Sequence, residues 1–106
     1  MITFQFFDGC PNSTKTLSNL KEVLVELDIP ESEIEIIEVP GLQEAEKIRF
    51  QGSPTILIDG VDIYSLRIPE DYSYTCRVYN FEGNRTGVIP KDFIREKIRK
   101  LRGNVA

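Results

Sequence analysis

Before Pro40 the hydrophobic period of this chain changes twice, and that change restricts the fold more than any other feature. Ile2 to Phe7 is a short run of β-branched and aromatic residues, long enough for a strand and too short for a helix. Leu17, Leu20, Leu24 and Leu27 then recur at spacings of three and four. That is the apolar stripe of an amphipathic helix, with Lys21, Glu22 and Glu26 toward solvent. Pro11 suits the first helical position, where its missing N–H is no loss, and the stretch around Pro30 ends the helix. Glu33 to Val39 opens with a period of two, as a half-buried strand does. Two strands joined through a helix pair in parallel.

The remaining elements extend this frame. Leu42 to Gln51 reads as a second, shorter helix with Gly52 placed as its C-cap. Pro54 to Ile58 is a third strand, and Asp59-Gly60 is a two-residue hairpin signal returning through Val61 to Tyr64. Ser65 to Ser73 has no period and reads as a loop. Tyr74 to Phe81 is a further strand, with a turn at Glu82-Gly83-Asn84 and a brief return over Arg85 to Ile89. Pro90 opens a last helix with Phe93, Ile94, Ile98 and Leu101 as its stripe and Gly103 as its end. The expected fold class is α/β: one domain over 1–106, a mixed sheet flanked by helices, with an extra strand or hairpin before the C-terminal helix.

Composition narrows the function classes. The 106 residues are 41% apolar and 28% charged, ordinary for a globular chain, and no run approaches the roughly 20 apolar residues of a spanning helix. The net charge of −4 makes non-specific nucleic-acid binding a poor expectation. Histidine is absent, which removes imidazole general bases, Cys–His and Ser–His pairs and imidazole zinc sites. Two cysteines are too few for a disulfide scaffold or an all-cysteine zinc site, so no resident metal is expected. The N-terminus lacks the pattern of a signal peptide, and the expected location is the cytoplasm, without a membrane partner. The seven bases against two acids after Asn84 read as a solvated helix whose basic end complements its dipole. Glu33 and Glu35 read as the solvent face of a strand and not as a hard-metal site.

Two motifs carry a resemblance. Cys10-Pro11-Asn12-Ser13 follows the first strand and opens the first helix, and Gly52-Ser53-Pro54-Thr55 precedes the third strand. In this order the chain resembles the thioredoxin/glutaredoxin superfamily over residues 1 to about 64. It also looks like a group of small thioredoxin-like proteins, some labelled alkylmercury-lyase-like, with Phe-Asp-Gly-Cys-Pro near the start and a later Cys-Arg-x-Tyr, here Cys76-Arg77-Val78-Tyr79. The resemblance implies a thioredoxin-like three-layer fold, a cis Ser53–Pro54 bond against the active cysteine, and thiol–disulfide exchange. Its partners would be a small thiol such as glutathione, as co-substrate, or a protein cysteine. No other cofactor is implied. Ser13 stands where a dithiol enzyme has its second cysteine, so Cys10 has no resolving thiol in its own motif, and a mixed disulfide on it would be resolved by Cys76 or by an external thiol.

The chemistry follows from the thiolate, which is both nucleophile and soft-metal ligand. A helix N-terminus favours the charged form of Cys10, and the Ser13 hydroxyl is expected to hydrogen-bond it, while the carboxylate of Asp8 opposes it. Pro11 sets the helix start, and Ser53, Pro54 and Thr55 shape the substrate edge. The loop before Cys76 leaves two paths open: one brings Cys76 to Cys10 as resolving thiol, and the other leaves it a packed strand residue. Tyr64, Tyr72, Tyr74 and Tyr79 either line a groove there or cap the core edge. A non-catalytic binding module and a Cu(I)- or Hg(II)-binding thiol protein are the competing expectations.

Overall fold

The structure, a computed structural model, describes residues 1–102. Gly103, expected to end the last helix, lies outside the described residues. The described residues form a compact α/β unit with three helices and a mixed sheet. Strand β1 (Ile2–Phe6) leads to helix α1 (Ser13–Glu26), a 3-10 turn at Glu31–Glu33, strand β2 (Ile34–Glu38) and helix α2 (Leu42–Ile48). Strands β3 (Gln51–Ser53), β4 (Thr55–Ile58), β5 (Val61–Asp62), β6 (Ser73–Cys76), β7 (Tyr79–Phe81) and β8 (Asn84–Thr86) follow, and helix α3 (Lys91–Leu101) is the last element among the described residues.

The main sheet has the order β2-β1-β4-β5. β1 pairs in parallel with β2, as the intervening helix requires, and antiparallel with β4. The period-two alternation of β1 sends Ile2 and Phe4 to one face, where they meet Leu20, Val23 and Leu24 of α1, Ile56 and Ile58 of β4, and Ile94 and Ile98 of α3. Each such buried aliphatic side chain contributes about 1.5–3 kcal/mol. The opposite face carries a smaller cluster of Val39, Ala45 and Phe50, with Phe7, Ile37, Ile48 and Tyr74 against it.

The hydrophobic periods therefore place the elements correctly, with local corrections. Helix α1 begins at Ser13, two residues after Pro11. Helix α2 stops at Ile48, because Arg49 takes the left-handed conformation at φ 58°. Gly52 is consequently not its C-cap but part of β3. The returning strand β5 is only Val61–Asp62, and the expected strand over Tyr74 to Phe81 is broken at Arg77-Val78 into β6 and β7. Glu33 lies in the 3-10 turn and pairs with Arg102 at 3.1 Å. Among the described residues no helix is long and apolar enough to cross a membrane.

Candidate functional site at the β1–α1 turn

β1 runs out at Phe6 and the chain turns through Asp8 and Gly9, the glycine adopting φ +89°. The Cys10 N–H closes this turn on the Phe7 carbonyl at 3.3 Å. Asn12 is the residue flanking α1, and its carbonyl accepts the first helical bond, from Thr16, at 3.1 Å. Cys10 thus lies three residues ahead of the helix, and its carbonyl accepts from the Ser13 N–H at 3.4 Å. Ser13 does not reach the thiol: its hydroxyl donates to the Cys10 carbonyl at 2.9 Å. A serine so placed fixes the turn that presents Cys10, and the expected bond to the sulfur is absent. Pro11 is exposed in the turn.

The second wall of the site is β3. Ser53–Pro54 is cis, as the resemblance implied. The Cys10 thiol donates to the Ser53 carbonyl at 3.6 Å, and the Ser53 hydroxyl accepts from the Phe7 N–H at 3.2 Å. Ser53, Pro54 and Thr55 are all buried. The Thr55 hydroxyl donates to the Gly52 carbonyl at 2.5 Å and accepts from Arg77 at 3.2 Å. The polar groups expected to shape a substrate edge are therefore already engaged within the chain.

β6 pairs in parallel with β3 and sets Cys76 opposite Ser53. The Arg77 N–H donates to the Ser53 carbonyl at 2.9 Å, alongside the Cys10 thiol. Of the two paths left open for the loop, the chain takes the one that returns to Cys10. Cys10 is buried, at 5% exposure, while Cys76 is exposed; neither is in a disulfide. The Cys76 thiol is pushed above the ordinary thiol range, first by partial desolvation, then by the charge of Cys10 and a hydrogen bond with it. Cys76 thus lies within electrostatic reach of Cys10.

Arg77 anchors this strand. Its guanidinium pairs with Asp62 at 2.6 Å, where both side chains are largely or wholly buried, and lies 5.4 Å and 4.8 Å from the ring centres of Tyr64 and Tyr79. Its pKa is raised by the Asp62 hydrogen bond, with Tyr79 and the Asp62 charge adding to it, against the opposing cost of burial. Tyr79 is fully buried and donates its hydroxyl to the Pro54 carbonyl; Tyr74 donates to the Val39 carbonyl at 3.0 Å and packs on Phe7 and Phe50. Tyr79 is core, Tyr64 and Tyr74 border it, and Tyr72 stays exposed. Arg77 and Asp62 escaped the sequence reading as site residues. The only signal was the position of Arg77 directly after the second cysteine.

Among the described residues no group of three or more His, Cys, Asp or Glu side chains is arranged to hold a metal ion. Comparison with protein-family models, curated proteins and solved structures finds no match to this chain.

Proposed function

We propose that this chain is a thioredoxin-like thiol–disulfide oxidoreductase whose working pair is Cys10 and Cys76. The observation that carries the reading is the pairing of β6 with β3, which sets Cys76 beside Cys10 at the cis-proline turn. Strand, helix, strand, helix and hairpin in this order, with α1 and α3 against one sheet face, further support the thioredoxin-like assignment.

The Cys10 thiolate attacks one sulfur of a disulfide RSSR′ and expels R′S⁻, which takes up a proton. Cys76 gives its proton to solvent or to the departing thiolate and attacks the Cys10 sulfur, releasing RS⁻. The substrate is reduced to two thiols and the pair is oxidised to one disulfide. Two equivalents of a small thiol such as glutathione reset it by the reverse exchange. Ser13 fixes the turn, and Pro54 and Thr55 back the strand that carries Ser53. A cytoplasmic location suits such a cycle, since thiols are kept reduced there.

Treating the reduced protein with a small disulfide and weighing the product tests this. Wild type should lose two hydrogens, Cys76→Ser should trap a mixed disulfide on Cys10, and Cys10→Ser should be inactive with its fold intact. A Cys10→Ser protein that still turned over would sink the assignment. The adjacency of the two thiols also favours a second reading, capture of a soft cation such as Cu(I) or Hg(II). Stoichiometric binding without disulfide turnover would select it.

A further inference from the structure

Resting on the oxidoreductase reading, we infer that β6 is a specificity-determining strand: it fills the sheet edge beside Pro54, excludes extended peptides from Cys10 and leaves the site to small disulfides. An unpaired strand edge recruits an extended peptide through its backbone groups. Here the Ser53 carbonyl is taken by the Arg77 N–H, and the Phe50 carbonyl, at the other end of β3, by the Ser73 N–H at 2.7 Å. The strand is held at both ends, by Tyr74 in the aromatic cluster and by Arg77 on Asp62 and Thr55. Between them the backbones nearly touch. A Cβ added to Gly52, at φ +106°, would come within 3.0 Å of the Thr75 carbonyl and 3.1 Å of the Arg77 Cβ. Peptide entry requires β6 to peel away. Burial of Cys10 acts in the same direction, since a nearly covered sulfur is reached by a slender molecule before a chain.

Two mixed disulfides that release the same coloured thiol, one carrying cysteamine and one a short extended peptide, provide the test. Rates are normalised to each compound's reaction with free cysteine. Wild type should favour the cysteamine compound by about ten-fold or more. Arg77→Ala and Gly52→Ala loosen β6 from opposite sides and should each narrow that preference at least about three-fold, while Arg77→Lys should retain more of it than Arg77→Ala. Hydrogen exchange of the Arg77 amide in wild type reads the same strand without any variant, and it should be protected. Equal wild-type rates, an Arg77 amide that exchanges like a free loop, or folded variants with an unchanged preference would overturn the inference alone. No reaction with either compound would overturn the oxidoreductase reading and this inference with it.

Discussion

The Ser53 carbonyl accepts from both the Arg77 amide and the Cys10 thiol, so one oxygen ties the two cysteine-bearing segments together. Cys76 is close enough for Cys10 to act on its thiol. Partial desolvation raises its pKa most, and the charge and hydrogen bond of Cys10 add to it. Two of those three causes vanish with the Cys10 sulfur. The pH midpoint of Cys76 alkylation should therefore lie above the free-cysteine value of about 8.5 and fall toward it in Cys10→Ser. Peptide-resolved mass spectrometry scores the two sites separately. A Cys76 midpoint that ignores the substitution would mean the thiols do not sense each other.

At the scale of elements, α1 does more than bury its stripe. Thr16 and Asn19 point inward with Leu20 and hold the chain just ahead of α3. The Asn19 amide donates to the Ile89 carbonyl at 2.9 Å, and the Thr16 hydroxyl accepts from the Ile89 N–H at 3.2 Å. Asn19→Ala leaves a buried carbonyl unpaired and should cost about 1–3 kcal/mol in urea unfolding. Ser18→Ala, on the exposed face, should stay within about 0.5 kcal/mol. The contrast shows where sequence reading stops. Leu20 and Leu24 announce themselves by a local period, whereas Asn19 reads as polar surface because its partner stands 70 residues away. Cys10 and Pro54 were readable from motifs that sit on adjacent elements. The place of Cys76 was not, since it depends on the route of an aperiodic loop. The burial of Asp62 was hidden for a related reason: its cover, Arg77, arrives from the break between two later strands.

The whole molecule should respond to alkali through Tyr79. Burial is the main force raising its phenol, and its hydroxyl is held on the Pro54 carbonyl. In the unfolded chain the phenol ionises near its ordinary value of about 10, whereas in the folded chain it stays neutral well above that. Stability from this group is therefore fully present below about pH 10 and is lost above it, at about 1.4 kcal/mol per pH unit until the folded phenol itself titrates. Tyr79→Phe should be less stable at neutral pH for want of the hydrogen bond, yet lose less on going from pH 9 to pH 11. Denaturant midpoints across that range give the comparison. A second global property follows from the two rims of the sheet. β5 is two residues long, and its Asp62 amide turns back onto the Arg67 carbonyl. β2 is longer, but Glu35 and Glu38 stand exposed along it beside the exposed Ile36. Copies of this chain that meet rim to rim at β2 bring rows of like charge together, so the molecule is armed against its own polymerisation. That protection is ionic, and salt weakens it.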